Sequence, residues 1–345
     1  MMFFCNNMTG EFIGIWKYLT WTRIINWIKI TISYHWSNWS KHPVQWGVPM
    51  SISVEPTTAC NLGCPECPSG LKSFSRATGR MNFELFQKIV GQLGKELLYV
   101  NLYFQGEPYL NPQFTEFVAH AHALKLFTST STNGHFISDE QAKKTIASGL
   151  DRLIISLDGI DQLTYEQYRK GGKYETVIEG IKRLVKWKKE MKSITPYLVI
   201  QFLVVKPNEH QILAVQELGK QLGVNKVSFK SAQLNDFENG NELMPNDLKY
   251  SRYKMTPKGK YELKNKLKNQ CWRLWSGSVI TWDGMVVPCC FDKDAAFKMG
   301  KIDEKVSFAT IWGNEKYKYF RQGVLTSRKT HSICSNCSEG SKVWV

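Results

Sequence analysis

From residue 51 onward the chain alternates between two hydrophobic rhythms. Short apolar or every-second-residue runs at 51–55, 98–104, 126–131, 152–157, 197–205 and 226–230 read as strands. Between them, apolar residues recur at helical spacing over 83–94, 112–124, 139–147, 174–191 and 209–222. Strand–helix units in series imply a parallel sheet with right-handed crossovers. Six units are too few for an eight-fold barrel. The expected fold is therefore α/β, a partial (βα)6 TIM-like barrel whose open mouth admits a substrate.

Residues 12–39 have another character. Trp16, Trp21, Trp27, Trp36 and Trp39 crowd the segment, and Lys17, Arg23 and Lys29 interrupt it. No apolar run approaches the roughly 20 residues of a membrane span. A signal peptide's unbroken apolar core and small-residue cleavage site are missing too. Two readings remain: a helix packed on the barrel, or an interfacial segment making peripheral contact with a membrane. The expected organisation is a Trp-rich segment at 1–48, the barrel at 49–232, a basic connector at 233–270 and a cysteine-rich domain at 271–345.

At 345 residues and 43% hydrophobic, the chain has material for about two cored domains. Its nine cysteines cluster at metal-like spacings rather than as the disulfide frame of a small secreted domain, which points to a reducing, cytoplasmic setting. The net charge of +15 is densest at 182–192 and 249–273. Such runs serve as solvated faces, or attract an acidic redox protein, an acidic substrate or anionic lipid. No nucleic-acid module accompanies them, which disfavours that partner.

Cys60, Cys64 and Cys67 form a C-x3-C-x2-C run on the loop leaving the first strand, where βα barrels place their chemistry. Pro65, Pro68 and Gly63 keep this loop out of helix. Structural zinc closes with four ligands, and simple iron–sulfur clusters take four thiolates. Three thiolates on a four-iron cluster leave one iron for another ligand; the alternative is a zinc loop borrowing a distant side chain. The run resembles the signature of the radical SAM superfamily, whose fold is a partial barrel. The resemblance implies a 4Fe–4S cluster on these cysteines with S-adenosylmethionine (SAM) chelated to the open iron. Glu66 stands where relatives often carry an aromatic residue, at a position that meets the adenine through its backbone.

Other segments extend the resemblance. Gln105, Gly106, Glu107 and Pro108 follow the second strand and look like the family's Gly-Glu-Pro motif, which holds the SAM amino group. Asn133, before Gly134 on the third strand's exit, and Ser156 and Asp158 on the fourth resemble segments lining the ribose and carboxylate. Gln201, Lys206, Asn208 and Lys230 lie near the same rim, as substrate contacts or structural polar residues.

Cys271, twelve residues, Gly284, four residues and Cys289 resemble the opening of SPASM and twitch extensions. Trp282-Asp283-Gly284 reads as a turn between two short strands. With Cys334 and Cys337 these cysteines make four thiolates, enough for one auxiliary 4Fe–4S cluster or a structural zinc. Cys290 is the alternative to Cys289, and Cys5 has no visible partner.

The resemblance implies a mechanism. An acidic donor such as ferredoxin or flavodoxin reduces the first cluster, SAM is cleaved, and the resulting radical abstracts hydrogen from substrate carbon. An auxiliary cluster accepting an electron makes the outcome a two-electron oxidation, here expected on a small-molecule or sugar-like substrate. The alternative is a peptide or sulfatase maturase; a non-catalytic iron–sulfur or zinc protein is the rival of another class. The pattern names no catalytic base.

Overall fold

The computed structural model describes residues 10–337; Cys5 and the end of the expected C-terminal domain, 338–345, lie outside them. Six strands run parallel in chain order: β1 (Ser51–Val54), β2 (Tyr99–Asn101), β3 (Phe127–Thr132), β4 (Arg152–Ser156), β5 (Tyr197–Val204) and β6 (Lys226–Ser231). Five crossovers join them, and the main helices fall where the 3.6-residue rhythm placed them. The helix at Asp139–Ala147 has the predicted bounds, begun by Ser138, whose hydroxyl accepts from the Gln141 amide.

Side-chain alternation gives this sheet two faces. Ile52, Val100, Leu153, Ile200 and Phe229 belong to the main core, which the helices cover. The opposite face carries Ser53, Asn101 and Ser129 in cross-strand register, then Ser156, Gln201 and Ser228. A buried parallel sheet is normally apolar on both faces. Polar residues on the concave side mark a lumen built to hold something hydrophilic.

The C-terminal segment continues the sheet instead of forming a detached lobe. β9 (Gly277–Ile280) pairs in parallel with β1, β10 (Met285–Val287) turns back antiparallel, and β11 (Gly300–Lys301) follows. The Trp282–Gly284 turn thus lies at the mouth, joined to the first barrel strand. The stretch expected as a plain basic connector contains a small antiparallel sheet, β7 (Tyr253–Met255) with β8 (Tyr261–Leu263). Its anchor is Tyr253, fully buried and stacked on Phe237 at 4.4 Å.

The N-terminal segment closes the other end of the barrel. Ile15 and Tyr18 pack with Leu98 and Phe127, and the Tyr18 hydroxyl donates to Asp151 at 2.9 Å. A helix, α1 (Trp21–Ser40), follows, capped by Thr20. It packs against the barrel end through a polar face: Arg23, Asn26, Ser33 and Ser37 face inward with Ile30, and most of the tryptophans face out.

Candidate cofactor site

The cysteine loop leaves β1 and is stitched to each neighbouring strand exit. Gly63 N–H donates to the Lys170 carbonyl, and Cys67 opens a single helical turn, Pro68–Leu71. Ser69 at that turn accepts from Gly106 N–H at 2.9 Å, and Glu107 N–H donates to Ala59 C=O at 2.7 Å. Gly106 sits at φ +73°, and a Cβ there would overlap the Thr57 and Ala59 carbonyls. Only glycine allows this backbone approach.

Glu107 is a buried carboxylate at the mouth. It accepts from the Thr132 hydroxyl at 2.8 Å, from Asn133 N–H at 2.7 Å and from Tyr109 N–H at 3.2 Å. Burial nonetheless pushes its pKa up to about 7, against the downward pull of those donors. Asn133 continues the chain of contacts. Its side-chain amide donates to Asn61 Oδ1 at 2.7 Å and lies 3.9 Å from Cys60 Sγ.

Asp158 is completely buried; its carboxylate accepts from Arg169 Nε and, at 2.7 Å, from Leu203 N–H. Both carboxylate oxygens are therefore engaged by protein. Arg169 reaches past it, with Nη1 3.7 Å from Cys64 Sγ. No motif pointed to Arg169, which lies at the C-terminal end of the helix Gln162–Tyr168 that follows the fourth strand. Ser156 lines the lumen beside Gln201, and Gln105 is buried beside Gly106.

Glu66 turns elsewhere. Its carboxylate accepts from Asn235 N–H at 2.8 Å and Asn241 Nδ2 at 3.4 Å, bracing the cysteine loop against the segment after β6. Asn208 serves the backbone, donating to the Asp158 and Leu203 carbonyls, and Lys206 is exposed. Lys230 sits on the lumen face opposite Leu203. Burial, then the Arg252 charge, lowers its pKa to about 8.

A second thiol set lies around Arg328. This arginine donates to Cys337 Sγ at 3.2 Å and to the Gln270 carbonyl at 2.6 Å. Burial opposes its charge, but the Cys271, Cys337 and Cys334 sulfurs more than offset that and hold it protonated. Cys289 follows β10; a hydrogen bond with Cys290 and then burial raise its pKa, with the Cys271 sulfur a smaller influence. Arg273 Nη1 meets Cys290 Sγ at 3.2 Å.

The donor chemistry fits iron–sulfur clusters at both places. On the first loop the Cys60 thiol lies by the Asn133 amide and the Cys64 thiol by Arg169; Cys271, Cys334 and Cys337 lie about the buried Arg328 guanidinium. Arg328 Nε and Arg252 Nη1 are buried without a hydrogen-bond partner among the described residues, and such donors suit sulfide or an anionic ligand. Among those residues, no three His, Cys, Asp or Glu side chains close around a single-ion position.

Two family models match the chain: the radical SAM superfamily over residues 54–202, and an iron–sulfur cluster-binding domain, SPASM, over 271–338. The chain belongs to the radical SAM superfamily and carries a C-terminal SPASM domain. The first of these domains binds a 4Fe–4S cluster and SAM, and the second binds auxiliary iron–sulfur clusters. It is similar to the tungsten-containing aldehyde ferredoxin oxidoreductase cofactor-modifying protein of Pyrococcus furiosus, 27% identical over 83% of this chain and 86% of that one. The AdoMet-dependent heme synthase of Methanosarcina barkeri is 29% identical over 63% of this chain and 61% of its own length. In fold, it resembles SuiB of Streptococcus suis bound to S-adenosylmethionine, with TM-score 0.62, 15% identity and coverage of 85% and 72%. No helix among the described residues is long and apolar enough to cross a membrane.

Proposed function

We propose that this enzyme cleaves SAM reductively and oxidises a carbon centre of a small molecule by two electrons, as a step in making or modifying a cofactor. The observation that carries the reading is the stitching of Glu107 and Asn133 to the three-cysteine loop, which puts an amine acceptor beside the thiols. Cys60, Cys64 and Cys67 would hold the first cluster, and Cys271, Cys289, Cys334 and Cys337 one auxiliary cluster. Bound there, cluster and SAM supply a 5′-deoxyadenosyl radical, chemistry that belongs to the cofactors.

The chain's own residues bind, orient and insulate. Glu107 receives the SAM amino group in its ionised form, with Gly106 and Gln105 setting the backbone around it. Arg169, fixed by Asp158, has donors left for the SAM carboxylate. Asn133 and Ser156 line the ribose side, and Glu66 places its own backbone at the adenine by anchoring its side chain to Asn235. Lys230, Arg252 and Lys293 make the lumen rim cationic, which suits a substrate bearing carboxylate or phosphate. The basic surface suits an acidic donor such as ferredoxin or flavodoxin. The cofactor-modifying relative, matched over most of both chains, supports the biosynthetic setting.

Incubating the reduced, reconstituted enzyme with SAM and candidate cofactor precursors tests this reading. A substrate-dependent rise in 5′-deoxyadenosine with a product two hydrogens lighter is expected. A redox-neutral product would reject the oxidation. A leader-dependent change in a ribosomal peptide would favour peptide maturation.

A further inference from the structure

Helix α1 is amphipathic in the reverse sense for a helix lying on a protein. Trp21, Ile25, Ile28, Ile32, Trp36 and Trp39 recur at 3.6-residue spacing and are all exposed, Trp21 by 80% and Trp39 by 76%. Trp16 and Trp46 extend the same apolar character on either side of the helix in sequence. A monomeric surface seldom leaves a contiguous apolar patch of this kind uncovered.

The inward face shows that this orientation is built. Arg23 donates to the Lys95 carbonyl at 3.2 Å and the Lys125 carbonyl at 2.7 Å. Asn26 exchanges two 3.0 Å hydrogen bonds with the Val48 backbone. Ser37 accepts from Val44 N–H at 2.8 Å. Rotating the helix to bury its isoleucines would leave these polar groups and their backbone partners unmatched, at the cost of several buried hydrogen bonds.

Charge and composition select among occupants. Residues 12–54 contain Lys17, Arg23, Lys29 and Lys41 and no Asp or Glu. Lys29 and Lys41 are exposed beside the apolar face, and Glu96 is the acidic neighbour bordering Ile25 and Lys29. Tryptophan is the residue of the membrane–water boundary, where its ring is apolar and its N–H wet. Basic residues flanking a Trp/Ile face suit lipid phosphates better than a second copy of this +15 chain.

We propose that α1 lies flat in the headgroup layer of an anionic membrane, with its Trp/Ile face turned to the acyl chains. At 1.5 Å rise per residue, its 20 residues give a contact line about 30 Å long. The helix anchors to residues preceding β1, β2 and β3, at the N-terminal ends of the strands. The mouth, at their C-terminal ends, therefore points away from the lipid and stays open to a soluble electron donor and substrate.

The test uses the full, iron-loaded chain. It should sediment with phosphatidylcholine vesicles containing phosphatidylglycerol, weakly with phosphatidylcholine alone, and less at high salt. Trp21→Ser, Ile28→Ser, Trp36→Ser and Trp39→Ser combined should lower binding roughly tenfold or more. Iron content and SAM cleavage in solution should stay unchanged, because these side chains point outward. Lys29→Glu should weaken binding to anionic vesicles with the apolar face intact. Failure of the unaltered chain to bind anionic vesicles overturns the proposal, as does unchanged binding by the quadruple variant. A dimer by light scattering that the quadruple variant abolishes, without vesicle binding, would assign the face to a second copy.

Discussion

Arg76 grips both oxygens of the buried Glu55 carboxylate, at 2.8 and 2.6 Å. Glu55 follows β1 and also accepts from Trp282 N–H at 3.2 Å, while Arg76 Nε donates to the Lys293 carbonyl at 3.3 Å. One ion pair thus ties the barrel, the stretch after the cysteine loop and the C-terminal hairpin together.

Breaking that pair on one side should be costly. Arg76→Ala leaves a carboxylate in the interior, and a loss of about 3–5 kcal/mol is expected by denaturant titration of the cofactor-free chain. Burial already raises the Glu55 pKa despite Arg76, so part of the loss is relieved by protonation at low pH. Arg76→Met with Glu55→Leu should recover most of the stability. Equal losses in the single and double variants would show that the pair does not act as a unit.

Glu107 makes a pH signature. Its folded pKa of about 7 lies above the ordinary 4.5. Stability from its neutral form is complete below pH 4.5 and is lost as pH rises through about 7. Glu107→Gln should flatten that slope in the cofactor-free chain. SAM binding should show the opposite trend, because the N–H groups of the SAM amine need the acceptor oxygens of the ionised carboxylate. Affinity should rise toward pH 7 and lose this dependence in Glu107→Gln. Equilibrium dialysis across the window checks it.

Arg169 should separate binding from folding. Arg169→Met strands buried Asp158 and should cost about 3–5 kcal/mol. Arg169→Lys keeps a cation but loses the fork that serves Asp158 and Cys64 together. A milder melting change is expected with a roughly tenfold weaker SAM Kd. Unaltered SAM affinity in Arg169→Lys would remove Arg169 from the SAM contacts.

Much of this was legible from local periodicity and spacing. The six barrel strands, the 139–147 helix and the Cys60, Cys64 and Cys67 run follow from patterns within a few residues. Non-local choices were not. Nothing in the alternation over 277–287 says that this hairpin joins the free edge of β1. The crowding of tryptophans over 12–39 marked the segment as unusual, but Arg23, Asn26 and Ser37 decide which face turns inward, through hydrogen bonds to backbone outside the helix. Arg169 was invisible for the same reason: its role comes from Asp158 and Cys64 meeting it in space.

The choice between neighbouring cysteines is open to direct test. Cys289 and Cys290 hydrogen-bond to each other, and the Cys271 sulfur is a smaller influence on Cys289; Cys290 also meets Arg273 and packs near Phe104 and Val287. The Gly284 spacing favours Cys289 as the ligand. Cys289→Ala should therefore lose about four irons per chain and Cys290→Ala should lose none. The reverse pattern would move the ligand to Cys290.

Anaerobic reconstitution with iron and sulfide, followed by reduction with dithionite in the presence of SAM, tests the central claim most directly. The account predicts about eight irons per chain, with methionine and 5′-deoxyadenosine released together, and no release from Cys60→Ala, Cys64→Ala or Cys67→Ala. An iron-loaded, reduced chain that leaves SAM intact would contradict it.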